Sequence, residues 1–164
     1  ELKDTYETLT HGGMPGFLGV TASSMGPDQS KIVYISELGN RIFQYDVIKN
    51  EQADDLITYA PESGDLVIAI THSTNGDFYS IKANFRAGFS LCKHDSSSGN
   101  ILEQFELPGP GWASLCIAMD GESAYIGNFF NGTIGRFNLT NGEMIASAET
   151  NVERSLAGIA QFIG

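Results

Sequence analysis

The sequence predicts an all-β protein made of β-propeller blades. Short apolar runs alternate with tight-turn residues, the pattern recurs, and no stretch has the apolar periodicity of a helix. Residues 113–150 show it best, with apolar runs 115–119, 124–127, 133–139 and 144–148 separated by Asp120-Gly121, Asn131-Gly132 and Asn141-Gly142. Because Asp-Gly and Asn-Gly readily adopt the positive φ angles of tight hairpins, we predict a four-stranded antiparallel meander.

The same unit occurs three times. Tyr34, Tyr79 and Tyr125 are predicted to occupy equivalent places, at intervals of 45 (79−34) and 46 (125−79) residues. After each tyrosine comes a turn, an aromatic-containing strand, an Asp or Asn and, four residues later, an Asn or Gly; the pairs are Asp46 and Asn50, Asp95 and Gly99, and Asn138 and Gly142. A period of about 40–50 residues with four strands per unit is typical of propellers.

We predict a single domain over residues 1–164, with blades at 16–60, 66–107 and 113–149. Residues 155–163 are predicted to be a strand of a further or swapped blade. Propellers usually close with about 4–8 blades, so we expect half of a six-bladed ring. A second copy of the chain in a twofold dimer, or a missing half of a longer polypeptide, would supply the rest. A compact three-bladed monomer is the alternative.

Composition limits the partners. The 9 Lys+Arg residues against 20 Asp+Glu give a net charge of −11, which argues against nucleic acid or an anionic membrane. Cys92 and Cys116 fall in different repeats, and we expect free thiols. Two N-glycosylation sequons, at Asn131 and Asn138, favour a secreted glycoprotein, and Glu1 in place of Met suggests a processed start.

Two repeats resemble known families. Residues 119–149 are similar to the YVTN repeat through Asp120-Gly121, Tyr125, Asn128, Gly132-Thr133 and Thr140–Gly142. Residues 32–47, with Gly39-Asn40-Arg41-Ile42, resemble NHL repeats and the SMP-30/gluconolactonase-like superfamily. The resemblance implies a propeller whose ligands bind at the mouth of a central channel, where the turn from the second to the third strand of each blade meets the loop to the next blade.

The candidate site residues lie in these turns and loops. Glu37, Lys82 and Asn128 begin the three turns; Glu37 and Lys82 are candidates for general acid–base catalysis, and Arg86 could orient a carbonyl. The candidates for substrate binding are Met14, Asn40, Phe85, Trp112, Asn128, Phe129 and Phe130. Solvated turn residues and packing between blades are the structural alternatives.

We expect no cofactor. The resemblance implies a divalent metal such as Ca²⁺, and Glu37, Asn128, Glu62 and Glu153 could offer oxygen ligands. The family's opening Glu-Gly-Pro motif is missing, however, so no metal site is predicted. No nucleophile–His–acid order, phosphate loop or metal-spaced His pair is present either.

Two functions remain open. The first is small-molecule binding or catalysis at the channel mouth, as in an SMP-30-like lactone hydrolase or a metal-independent biosynthetic cyclase of the hetero-Diels–Alder type, a reaction that positioning alone could accelerate. The second is a non-enzymatic interaction module, either a lectin or a protein–protein scaffold.

Overall fold

The structure is a computed structural model that describes residue 9 and residues 20–36 and 38–161. Twelve strands run through these residues: β1 (Val20–Met25), β2 (Lys31–Ser36), β3 (Arg41–Asp46), β4 (Glu51–Thr58), β5 (Leu66–His72), β6 (Phe78–Asn84), β7 (Gly88–His94), β8 (Ile101–Leu107), β9 (Trp112–Ile117), β10 (Ser123–Asn128), β11 (Thr133–Asn138) and β12 (Met144–Glu149). In the described part of the chain, the helical content is one 3₁₀ turn at Pro61–Ser63. No helix there is long and apolar enough to span a bilayer.

The strands form three four-stranded antiparallel sheets, each in chain order. We call them blade 1 (β1–β4), blade 2 (β5–β8) and blade 3 (β9–β12). The first strands of the blades lie side by side, β1 against β5 and β5 against β9, so that the sheets radiate from a shared axis. This arrangement confirms the predicted all-β fold of stacked meanders and makes the protein a partial β-propeller.

Asp or Asn side chains build the turn between the third and fourth strands of every blade. Asp46 Oδ1 accepts hydrogen bonds from Ile48 N (3.0 Å) and Lys49 N (2.9 Å). Asp95 and Asn138 cap the two backbone amides at the same places in blades 2 and 3. The recurring Asp or Asn in the sequence therefore reflects turn chemistry rather than a binding site.

The tyrosine repeat is shifted by one residue in blade 1. The last aromatic or imidazole before each capping residue pairs across the sheet with a residue of the second strand; these pairs are Tyr45 with Ile32, His94 with Phe78 and Phe137 with Ala124. Tyr79 and Tyr125 each come one residue after the second-strand member of their pair. The residue at that position in blade 1 is Val33, not Tyr34. Tyr34 thus lies on the opposite face of its blade, because a shift of one residue in a strand reverses the side-chain direction.

Two apolar clusters join the blades. Between blades 1 and 2 the buried residues are Val33, Ile35, Ile42, Leu56, Ile57, Val67, Ile70 and Phe78. The larger cluster, between blades 2 and 3, includes Ile81, Leu91, Trp112, Ile126 and Phe137. Each sheet face between two blades is covered by the neighbouring blade, as stacking requires.

One face at each end of the array is not covered by a described strand. The leading face of blade 1 carries a cavity of about 420 Å³ lined by Val20, Ser23, Ile32, Tyr34, Tyr45, Val47 and Asn50. The trailing face of blade 3 carries Cys116, Tyr125 and Ile134. The shape agrees with the predicted partial ring.

Residues 155–161 lie over the trailing face of blade 3 without forming a strand. Leu156 packs on Gly127, and Gln161 Oε1 accepts a hydrogen bond from Met119 N (3.0 Å). The segment therefore runs from one end of blade 3 to the other, in the same direction as β9. It occupies the place of a fourth inner strand, and the predicted further or swapped blade stays a prediction; residues 162–164 lie outside the described part.

Candidate functional site

The turns and loops that were predicted to form a channel mouth come together at one end of the blades, which we call the mouth. The turns β2–β3, β6–β7 and β10–β11 meet the loops 59–65 and 108–111 there. A backbone hydrogen bond from Val67 N to Gly39 O (2.9 Å) joins blades 2 and 1 at this end, and one from Phe129 N to Gly111 O (2.8 Å) extends the ladder between β10 and β9 within blade 3. Main-chain contacts therefore help to hold the mouth in place.

A pocket of about 320 Å³ opens at this mouth. It is lined by Thr21, Leu38, Ile68, Phe85, Phe89, Gly111, Trp112, Ala113, Phe129, Phe130 and Ala157. Every inner strand and the segment after blade 3 contribute to its wall, as expected for a channel at the propeller axis. Small-molecule sites usually have volumes of about 300–1,000 Å³ and mostly apolar walls, and this pocket fits the lower end of that range.

Five aromatic side chains dominate the wall. Trp112 is 3% exposed, packs edge-on against Phe137 (5.3 Å between centroids) and donates from Nε1 to Pro108 O (3.1 Å). Phe85, 66% exposed, stands edge-on to Phe89 at 5.9 Å. The rings of Phe129 and Phe130 lie 6.1 Å apart at 62°. Trp112 is thus fixed, whereas Phe85 and the half-exposed Phe130 form a rim.

The structure brings together four of the predicted binding residues, Phe85, Trp112, Phe129 and Phe130. Asn40 and Asn128 hold the backbone instead. Asn40 Nδ2 donates to Tyr59 O (2.6 Å); the buried Asn128 donates to Pro110 O (2.9 Å) and accepts from Phe130 N (3.0 Å). Met14 and Glu37 lie outside the described residues.

Lys82 is not in a turn, so its predicted position was wrong. Strand β6 continues to Asn84, whose Oδ1 caps the turn through Arg86 N (3.0 Å) and Ala87 N (3.1 Å), as Asn128 caps the turn of blade 3. The Lys82 ammonium lies 3.9 Å from Asp65 and 5.9 Å from the Tyr59 ring centre, on the face of blade 2 toward blade 1. Arg86 is exposed in the turn beside Phe85.

Seven wall residues were not predicted from the sequence: Thr21, Leu38, Ile68, Phe89, Gly111, Ala113 and Ala157. Thr21, Ile68, Ala113 and Ala157 are apolar or small residues of strands and of a linking segment, and only their position at the axis makes them part of a site. Leu38 has a φ of 53°, in the left-handed region that disfavours a branched apolar side chain. A Leu in a tight turn where Gly or Asn is usual was the signal that could have identified it.

The ionisable groups lie elsewhere. Burial raises the pKa of the Cys92 thiol to about 12, and both cysteines are unpaired, as predicted. Burial also lowers the pKa values of His72 and His94, which lie between blades 1 and 2. Among the described residues, no three His, Cys, Asp or Glu side chains cluster to hold a metal ion. Glu62 and Glu153 are exposed.

Comparisons with known proteins support the fold. No family model and no curated protein matches this sequence. Among solved structures, the chain is similar to Kuenenia stuttgartiensis hydrazine synthase, with a TM-score of 0.66 and 17% identity, over 94% of this chain and 42% of that one. It is also similar to a Bacteroides caccae protein of unknown function, with a TM-score of 0.60 and 10% identity, over 83% of this chain and 47% of that one.

This chain spans less than half the length of either structure. At such low identity the likeness establishes the propeller-type fold alone. The fold is also widespread, since 696 chains of solved structures match it, and so it cannot name an activity. What the fold supports directly is a binding or interaction module. The resemblances to YVTN, NHL and SMP-30 repeats remain predictions.

Proposed function

We propose that this protein is a ligand-binding module whose mouth pocket takes up an apolar group of a small molecule. The observation that carries the proposal is the convergence of five aromatic side chains from blades 2 and 3 on one cavity of about 320 Å³. Burying apolar surface yields about 25 cal/mol per Å², so such a wall gives binding energy without charged partners. The interaction-module alternative, a lectin or a protein–protein scaffold, stays open on the same fold.

The same pocket could serve catalysis by positioning, as a metal-independent cyclase would require. This finer assignment has less support, because Lys82 points between blades and Asn128 is engaged by the backbone. Arg86 is the cation nearest in sequence to the pocket wall. A lactone hydrolase would require a metal or an acid–base pair at the pocket, and the described residues that line the pocket carry no ionisable side chain.

The test uses Trp112, the only tryptophan of the chain, as an intrinsic reporter. Neutral apolar alcohols, neohexanol and benzyl alcohol, should shift or quench its emission in a saturable way. Ala157→Phe should abolish the response because it fills the pocket from the exposed segment after blade 3. Ala160→Phe, on the same segment but over the trailing face of blade 3, is the matched control. Saturation that persists in Ala157→Phe would locate binding elsewhere and refute the proposal.

For the assembly, a second copy of this chain completing the ring stays our proposal. The leading face of blade 1 and the trailing face of blade 3 are apolar sheet faces without a covering blade, and the match covers only 42% and 47% of the two similar structures. Light scattering should give twice the chain mass for the parent. Val47→Glu, on the leading face, should give a single chain, and Ile48→Glu, 77% exposed in the next turn, should not. A single-chain mass for the parent would contradict the proposal.

Secretion and glycosylation also stay predictions. Asn131 is exposed at the mouth, and its Oδ1 accepts a hydrogen bond from Thr133 N (3.0 Å). A glycan there would stand beside Phe130 at the rim of the pocket. Intact-mass measurement of protein from a eukaryotic secretory host, before and after removal of N-glycans, tests both sequons.

A further inference from the structure

From the same pocket we propose, resting on the function above, that the preferred ligand carries a quaternary ammonium head group. The wall consists of the rings of Phe85, Phe89, Trp112, Phe129 and Phe130. The faces of aromatic rings are negative, and they attract a cation placed within about 6 Å of the ring centre. Several rings at different angles around one cavity can contact the methyl groups of one trimethylammonium group together.

The geometry supplies rings in several orientations. Phe85 and Phe89 are inclined at 83° and Phe129 and Phe130 at 62°, and the buried Trp112 also lines the pocket. Indole is the strongest of the aromatic cation binders. A spherical cation surrounded by inclined rings meets faces on several sides, whereas a flat neutral ligand would be served better by parallel walls.

The rings are also free for a ligand cation. In the described residues, four cations of the chain lie over aromatic rings, and all four rings are outside the pocket: Phe43, Tyr59, Tyr79 and Tyr125. The protein thus uses cation–π contacts repeatedly, but leaves the pocket to an external group.

The negative net charge of the protein favours a ligand with a positive charge. A net charge of −11 attracts cations and repels anions over the distance of a Debye length, about 8 Å at physiological salt. The pocket wall itself holds no carboxylate, so a strongly hydrated primary ammonium would lose water without gaining a partner. A quaternary ammonium is weakly hydrated and suits an apolar wall.

The experiment compares three probes of one shape: choline, its neutral carbon isostere neohexanol, and the anion tert-butylacetate. We expect choline to bind at least about fivefold more tightly than neohexanol in Trp112 fluorescence and NMR titrations. Tert-butylacetate should bind most weakly. Added salt should weaken choline binding and leave neohexanol unchanged, because only the cation responds to screening.

Phe85→Leu and Phe130→Leu test the rings separately. Both rings are more than half exposed, so their removal leaves the core intact, and Leu retains an apolar wall. Each variant should lower the choline affinity by about two- to fivefold and change the neohexanol affinity less than twofold. Tyr45→Leu, on the leading face of blade 1, is the control. Arg86→Gln should strengthen choline binding because it removes a repelling cation from the rim.

The outcomes separate the two proposals. If neohexanol binds as tightly as choline, or tert-butylacetate binds best, the quaternary ammonium proposal is wrong and the apolar binding function stands. If neither choline nor neohexanol binds, both are wrong. If choline binds but the Phe→Leu variants keep the parent's preference over neohexanol, the rings are not the source of selectivity and this proposal fails alone.

Discussion

The two interfaces between blades use the same three positions with different chemistry. On the face of blade 2 toward blade 1, the residues paired across the first three strands are His72, Phe78 and His94. On the face of blade 3 toward blade 2, the residues at the same places are Ile117, Ala124 and Phe137. In the first interface Phe78 lies between two imidazoles, at 4.9 Å from His72 and 5.6 Å from His94. The first joint of the propeller, between blades 1 and 2, therefore holds two imidazoles at positions where the second joint, between blades 2 and 3, has apolar side chains.

Hydrogen bonds compensate for the free-energy cost of burying the two imidazole rings. His94 is 1% exposed, and its Nδ1 lies 3.0 Å from Gly99 O. A carbonyl only accepts hydrogen bonds, so Nδ1 carries the proton and the neutral Nε2 accepts from Ser80 Oγ at 2.8 Å. His72 Nδ1 pairs with Ser24 Oγ of blade 1 at 2.9 Å. The joint is built for neutral histidines.

The largest effect should come from Phe137→Ala. This side chain is 1% exposed between blades 2 and 3 and supports Trp112. Its truncation should cost about 3–5 kcal/mol of unfolding free energy, measured by chemical denaturation, and the loss should be the same at pH 5 and pH 8. Ile145→Ala, on the exposed β12, is the control and should change stability by less than about 0.5 kcal/mol.

The next largest loss of stability should come from replacing the glycines in the turns between the third and fourth strands. Gly99 and Gly142 have φ angles of 72° and 74°, and a Cβ on Gly99 would overlap Leu56 O of blade 1, while one on Gly142 would meet Phe105 of blade 2. Gly99→Ala and Gly142→Ala should each cost about 3 kcal/mol, the sum of left-handed strain and overpacking. Asn50, the equivalent residue of blade 1, has a φ of 60° beside the leading-face cavity, so Asn50→Ala should cost only about 1 kcal/mol. Equal losses at all three positions would contradict this contrast.

We expect acid to destabilise the first joint, between blades 1 and 2. Burial lowers the pKa values of His72 and His94 below the ordinary 6.5, and the nearby Asp28 only partly opposes this for His72. The unfolded chain therefore binds a proton on each histidine more tightly than the folded protein does. The contribution of the two neutral histidines to the free energy of unfolding is complete above pH 6.5 and falls as the pH drops toward their folded-state pKa values. The slope is at most about 1.4 kcal/mol per pH unit for each histidine.

Urea titrations between pH 4.5 and 8 measure this slope. His94→Phe introduces at blade 2 the residue type found at Phe137 and should reduce the slope in that window. The carboxyl groups of Asp28, Asp46 and Asp120, whose pKa values are lowered by hydrogen bonds, act only at lower pH. A slope unchanged in both His94→Phe and His72→Phe would show that the joint is not the source.

The smallest effect should be that of Lys82→Met. The ammonium is 3.9 Å from Asp65 and 3.2 Å from Gln104, and such partly exposed pairs contribute about 0–1 kcal/mol. Choline and neohexanol binding should be unchanged because Lys82 faces blade 1 and not the pocket. A loss of binding without a loss of stability would return Lys82 to the site.

The sequence predicted the meanders well because their signals are local. Asn-Gly and Asp-Gly turns, apolar runs and the Asp or Asn caps act within a few residues, and all three four-stranded sheets are present. The one-residue shift at Tyr34 and the extension of β6 past Lys82 were missed, because strand register depends on partners across the sheet.

The sequence by itself determined the blades, their number in this chain, the acidic surface and the aromatic composition of the mouth, since each depends on neighbouring residues or on a sum over the chain. Only the tertiary structure decided that Phe85, Phe89, Trp112, Phe129 and Phe130 share one cavity while Asn128 and Lys82 face other partners. It also decided which interface holds the histidines. The physical reason is that direction and burial come from packing between blades, where residues more than forty positions apart become neighbours, and no local pattern encodes that meeting.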